Sequence, residues 1–224
     1  MRGGWRAVAI RQGKRLVVWL VAALLVVATV ALVFLGTPYE ATDGSIEAVA
    51  EDEGVRVTEV DGSYRIEPAD SDPAAGLVFY PGARVDPGAY VASLAPLARE
   101  ANVTVVIPRM PLNLAIVDYG AARTPLWEDR ASTVVDRNPS IDRWYVGGHS
   151  LGGAMACRYA RGDSDAVEGL VLYAAYCDQD VSDSGLAVLS VVGDGDTATR
   201  TSYDTAHERL NEVAVAWFEN QTAG

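Results

Sequence analysis

The chain has 224 residues, half of them apolar, and a net charge of −12, so it can bury a sizeable core and is poorly suited by sign to nucleic acid. Two cysteines, Cys157 and Cys177, exclude a cysteine-rich zinc site and a disulfide framework. They leave room for one bridge, with free, partly buried thiols the expected state.

The charge is divided along the chain. Residues 1–15 form a basic N-terminus with Arg2, Arg6, Arg11, Lys14 and Arg15, and the first acid is Glu40. Residues 16–35 follow with twenty uncharged, mostly apolar residues. A helix of that length spans roughly 30 Å, the thickness of a hydrocarbon core. A cleaved signal would have a shorter apolar region and an A-x-A-like site, and Gly36-Thr37-Pro38 is a poor one. The segment 16–36 therefore reads as an uncleaved single-pass transmembrane helix. The basic flank places residues 1–15 in the cytoplasm and the rest of the chain extracytoplasmic. From residue 37 onward there are thirty acids, thirteen arginines and no lysine, a balance of −17. The acids are dispersed, as on a halophile-type surface whose self-repulsion is screened by salt.

Residues 37–44 read as a linker and 45–224 as one domain. Within it, Val55–Val60 and residues 64–68 flank Asp61-Gly62, a hairpin signal. Residues 76–80 (GLVFY) form an apolar strand, and residues 87–100 a helix capped by Asp86 with Pro87 in its first turn. Val103–Ile107 is a second apolar strand. A helix runs from Thr124-Pro125 towards Arg137. Residues 143–146 lead as a strand into Gly147, and residues 151–161 form a helix. Gly169–Tyr173 and residues 186–192 are strands, 202–210 a helix and 213–218 (VAVAWF) a last strand. About eight strands, the later ones separated by helices, imply an α/β fold with a mostly parallel sheet covered on both faces and an antiparallel hairpin at its edge. Trp127, Trp144 and Trp217 read as core or half-buried residues. Asn220-Gln221-Thr222 is a sequon, expected on an exposed tail.

The sharpest chemical signal is Gly147-Gly148-His149-Ser150-Leu151-Gly152-Gly153, lying between a strand and a helix. A nucleophile elbow requires this context: a tight turn with small residues two before and two after the serine, here Gly148 and Gly152. Ser150 then stands at a helix N-terminus, where unpaired N–H groups favour developing negative charge. The bland alternative is a glycine-rich turn without chemistry.

With this motif the chain resembles the α/β-hydrolase superfamily, and more narrowly its small, lid-less family 5 type. The resemblance runs from about Val55 to the end. It rests on Gly76-Leu77-Val78-Phe79-Tyr80-Pro81-Gly82, Val85-Asp86-Pro87 with Tyr90, Met110-Pro111-Leu112-Asn113-Leu114-Ala115, and Trp144 leading into the elbow. It implies an α/β-hydrolase fold and a serine hydrolase acting on a small acyl ester or related compound, without cofactor or metal. Ser150 is then the nucleophile, with oxyanion donors at the Leu151 N–H and in the loop at Gly82 and Ala83. The triad acid falls on Asp196, with Asp194 the nearby alternative. With only a few residues between the strands on either side, no cap domain fits, and residues 108–113 and 176–184 frame an open site.

The chain departs from this pattern at the base. The family's histidine lies after the last strand, yet the sequence has only His149 and His207. His149 sits inside the elbow and reads as structural. His207, inside the helix before the last strand, is the remaining candidate base, although such a helix lies on the sheet's outer face and a solvated helix histidine is the bland alternative. The sequence stops about where the family's histidine would come, as in a C-terminally truncated or degenerate homologue. Two readings stand: a membrane-anchored esterase-like serine hydrolase, and a hydrolase-like domain that binds an acyl ligand without turning it over. A third is a membrane-surface protein with no site. Substrate identity and oligomeric state are not legible.

Overall fold

The computed structural model describes residues 3–115, 130–162, 166–192 and 203–223. The chain divides into two units, Met1–Pro38 and Tyr39–Gly224. The first is helix α1 (Gly3–Gly36), whose stretch Gln12–Phe34 is long and apolar enough to cross a membrane. Its large apolar side chains from Leu16 to Phe34 are exposed. Thr29 Oγ1 donates to the Leu25 carbonyl one turn back at 2.8 Å, so this hydroxyl needs no water.

The second unit is built on seven strands among the described residues: β1 (Val55–Val60), β2 (Ser63–Pro68), β3 (Ala75–Tyr80), β4 (Val103–Ile107), β5 (Trp144–His149), β6 (Gly169–Tyr173) and β7 (Ala187–Val191). They form one sheet in the order β1-β2-β4-β3-β5-β6-β7. The first hairpin is antiparallel with Val60 opposite Ser63, and Asp61 (φ 51°) and Gly62 (φ 74°) make its two-residue turn. β2 runs antiparallel to β4, and every pair from β4 to β7 is parallel.

Six α-helices, α1, α2 (Ser45–Ala50), α3 (Val91–Ala101), α4 (Arg130–Asp136), α5 (Leu151–Gly162) and α6 (Tyr203–Thr222), and two 3-10 turns, Pro87–Tyr90 and Pro111–Asn113, complete the described elements. The central strands β3 to β6 are buried almost throughout because both their faces are covered. Leu77, Phe79, Val105, Ile107, Tyr145 and Val171 face one core, shared with α3 and α6. Their neighbours Val78, Tyr80, Val106, Val146 and Leu170 face the other, shared with α5. This alternation is the two-residue period of a strand, expressed in two cores rather than as core and solvent.

Several expectations need correction. The expected helix over residues 87–100 begins as a 3-10 turn, Pro87–Tyr90, before α3; the Asp86 carboxylate caps it by accepting from the Gly88 N–H at 2.9 Å. The expected linker is partly structured: Tyr39 bridges to Val85, its N–H donating to the Arg84 carbonyl at 2.7 Å, and α2 follows. The cysteines are not free thiols; Cys157 of α5 is bonded to Cys177, with Cα atoms 5.5 Å apart. The expected last strand, residues 213–218, is the second half of α6, and the sheet has seven strands among the described residues where about eight were expected. The reason is the spacing. Leu210, Ala214, Trp217 and Phe218 recur at helical intervals, and Ala214, Val215 and Phe218 are buried while Val213 and Ala216 are exposed. Phe218 meets Tyr145 edge-on at 5.1 Å, and Trp217 meets it at 5.4 Å. The sequon therefore lies in the last turn of a helix, not on a loose tail; there the Gln221 carbonyl accepts from Arg143 Nη1 at 2.8 Å. Trp144 is buried and Trp217 half-buried, while Trp127 and the helix start expected at Thr124-Pro125 lie outside the described residues.

Two stability measurements follow. Phe218→Ala removes a fully buried ring from the α6–β5 contact and is expected to lower the unfolding free energy by about 3 kcal/mol in a denaturant titration. Ala216→Ser, on the exposed side of the same helix, is expected to leave it unchanged. Reducing Cys157–Cys177, a cross-link over 20 positions, is expected to cost about 3 kcal/mol in the same titration.

Candidate active site

The C-terminal ends of β3, β4, β5 and β6 lie side by side, and each is followed by a non-glycine residue in the left-handed region: Arg84 (φ 60°), Leu112 (54°) with Asn113 (53°), Ser150 (51°) and Ala174 (45°). Such backbone costs on the order of 1–3 kcal/mol per residue and persists where the surroundings over-determine it. Here it gathers along one edge of the sheet.

Ser150 is held from both sides. Its N–H donates to the Tyr173 carbonyl of β6 at 3.0 Å, and its carbonyl accepts the first bond of α5, from the Ala154 N–H at 3.2 Å. The turn is tight enough that a Cβ on Gly148 would lie 2.6 Å from the Tyr80 carbonyl oxygen, and one on Gly152 would strike the Tyr80 and Pro81 carbonyls. Both positions are closed to side chains. Ser150 is exposed, and its Oγ makes no hydrogen bond with the described residues.

The loop after β3 sorts its own donors. The Gly82 N–H donates to Tyr90 Oη at 2.9 Å, the Arg84 N–H to the Asn113 carbonyl at 2.7 Å, and the Val85 N–H to the Gly82 carbonyl at 3.1 Å. Ala83, exposed at the loop's crest, has an N–H with no partner among the described residues. The Leu151 N–H, at the first position of α5, is likewise unclaimed. Of the sequence-derived oxyanion candidates, Leu151 and Ala83 thus keep free N–H groups, while Gly82 has spent its own. The stretch 108–113, expected to frame the site, has a further part: its Asn113 carbonyl accepts from the Arg84 N–H and props the Ala83 loop.

His149 is half-buried and turned into the protein. Its Nδ1 lies 3.0 Å from Tyr90 Oη, the same hydroxyl that takes the Gly82 N–H. Burial pushes its pKa below the usual histidine range and favours the neutral ring. Its ring is engaged with Tyr90 rather than with Ser150 Oγ. Tyr173 presents a buried hydroxyl without a hydrogen-bond partner among the described residues, and burial pushes its pKa far up, so it is no base near neutral pH. His207 lies in α6, in a part of the helix whose side chains are outside the description, and Asp194 and Asp196 lie outside the described residues altogether.

The rim is braced by α5. Next to the Cys157–Cys177 link, Arg158 forms a two-pronged pair with the Asp178 carboxylate, and that ion pair holds the Asp178 carboxyl below the usual carboxylate range. Residues 174–186 connect β6 to β7 by turns alone. Leu112, Tyr176 and Val192, following β4, β6 and β7, leave apolar side chains exposed. No group of three or more potential metal ligands occurs among the described residues. A cavity of about 670 Å³ lies to one side, between the hairpin turn and α4, lined by Ser63, Arg109, Leu112, Arg130 and Arg137.

No curated protein matches this chain. Among solved structures, it is similar to the hormone-sensitive-lipase homologue EstE7 from a metagenome library, at 19% identity over 60% of this chain and 50% of that one, with a TM-score of 0.39. It is similar to a bacterial heroin esterase at 19% identity, over 62% and 51%, with a TM-score of 0.40. An esterase of Pyrobaculum calidifontis matches at 19% identity, over 58% and 48%, with a TM-score of 0.41. This chain spans about half the length of each. The model of the alpha/beta hydrolase family matches residues 76–218, well over half of the sequence, and the chain belongs to that family.

Proposed function

We propose that the protein is a membrane-anchored, extracytoplasmic serine hydrolase that acts on small acyl esters. One observation carries the reading: an exposed serine on a strained strand-to-helix turn beside two backbone N–H groups that no described residue claims. Ser150 Oγ attacks the acyl carbon, and the carbonyl oxygen, becoming an anion, accepts from the Leu151 and Ala83 N–H groups. Each such donor is worth about 3 kcal/mol in the transition state. The alkoxy group leaves with a proton, and water then releases the acyl group from Ser150. Asp196 and His207 are the candidates for acid and base. The exposed Leu112, Tyr176 and Val192 supply apolar surface for an acyl chain. The apolar helix supports the anchor, and a bonded Cys157–Cys177 pair suits an oxidising compartment outside the cytoplasm.

A second reading has its own support. No described side chain stands as a base to Ser150 Oγ, and His149 is committed to Tyr90. A serine without a base is a poor nucleophile near neutral pH, which favours an acyl-ligand-binding domain.

Hydrolysis of a short p-nitrophenyl ester by the full chain in detergent and molar salt separates the two. Ser150→Ala is expected to lower kcat by about a thousandfold or more and to abolish fluorophosphonate labelling. His207→Ala is expected to do the same to turnover; unchanged turnover would remove His207 from the mechanism. Folded protein with no Ser150-dependent turnover would establish the binding reading instead.

A second substitution tests the donor loop. A Cβ on Gly82 would lie 2.7 Å from His149 Nδ1, so Gly82→Ala must move the loop that presents Ala83. Its kcat is expected to fall about tenfold or more with Ser150 intact.

A further inference from the structure

Four consecutive N–H groups, from Gly82 to Val85, lie in the loop beside Ser150, and any of them left unpaired would compete for a developing anion. Three are withdrawn by named partners, and the first depends on a single side-chain atom, Tyr90 Oη. A tyrosine hydroxyl has one proton and two lone pairs. The Gly82 N–H can only donate, so it takes a lone pair at 2.9 Å. The ring nitrogen 3.0 Å away, His149 Nδ1, accepts the hydroxyl proton in the neutral tautomer protonated on Nε2. That tautomer gives a directed chain: Gly82 N–H to Tyr90 Oη, and Tyr90 O–H to His149 Nδ1.

The chain joins three pieces of the molecule. Gly82 belongs to the loop after β3, Tyr90 to the 3-10 turn before α3, and His149 is the last residue of β5, immediately before Ser150. The Tyr90 ring is itself fixed, 5.3 Å from Phe79 and 5.9 Å from His149 between centroids. Gly82 has no space for a side chain because His149 Nδ1 and Tyr90 Oη stand against it.

We propose that Tyr90 is a positioning residue of the hydrolase site: its hydroxyl takes Gly82 out of competition and locks the donor loop to the elbow, so that of the loop's N–H groups only that of Ala83 joins the Leu151 N–H in facing the oxygen bound at Ser150. This rests on the reading of Ser150 as nucleophile. Tyr90 touches neither substrate nor the reacting atoms; it acts through Gly82 and His149.

The test compares the full-length protein with Tyr90→Phe, which keeps the ring and its packing and removes only the hydroxyl. Amide hydrogen exchange of Gly82 is expected to be slow in the wild type and at least about tenfold faster in the variant, with Ala83 fast in both. Nitrogen-15 spectra of His149 are expected to show an unprotonated Nδ1 in the wild type and a mixture of tautomers in the variant. The rate of Ser150 phosphonylation by a fluorophosphonate is expected to fall about tenfold. Phe79→Leu, which perturbs the same packing and leaves the hydroxyl, is expected to keep Gly82 protected. Equal Gly82 exchange in wild type and Tyr90→Phe would overturn the chain of bonds. Altered exchange with an unchanged Ser150 rate would overturn the positioning role. A wild-type Ser150 that does not react at all would sink the hydrolase reading and the positioning role with it, while the exchange data still decide the bonding.

Discussion

The structure depends on one close approach: the backbone of β5, as it turns into α5, presses against the carbonyls at the end of β3. Gly148 and Gly152 leave no space there for a side chain. With that gap closed, Ser150 has no choice of backbone conformation, and its φ of 51° follows. The strain is sustained by ordinary bonds on either side, to Tyr173 in the next strand and to Ala154 in the helix. Exposure of the serine and availability of the Leu151 N–H are consequences of the same turn.

The neighbouring loops repeat this arrangement with other means. Arg84 and Asn113, both in the left-handed region, are tied to each other across the ends of β3 and β4. The segment after β6 is held to α5 by a disulfide and an ion pair at adjacent positions, 157 with 177 and 158 with 178. A rigid sheet edge carrying strained, cross-tied loops is the arrangement in which backbone donors can be aimed before a substrate arrives. What the described part of this edge lacks is a proton acceptor for Ser150.

Much of this was legible in the sequence because it is local. The twenty-residue apolar run, the Asp61-Gly62 hairpin, the apolar strands and the glycine pattern around Ser150 each reflect a rule acting within a few residues. The misreading of residues 213–218 has a local cause as well. Val-Ala-Val-Ala-Trp-Phe has strand-forming composition, and the helical spacing that begins at Leu210 shows only over a longer window. Pairing of the cysteines was not legible, because 20 positions separate them and only the fold of α5 against the loop after β6 brings them within bonding range.

The sequence by itself determined the fold family, the elbow and the place of Ser150, since steric rules for glycine, chain turns and apolar periodicity act along the chain. The tertiary structure decided which loop amide remains unclaimed. Gly82 and Ala83 are adjacent and equally plausible as letters. Their difference arises because Tyr90, 8 positions from Gly82 and in contact with His149, 67 positions away, takes one of the two N–H groups, while no described residue takes the other. Hydrogen bonds between distant segments obey distance and direction in space, and no spacing rule in a single sequence encodes them.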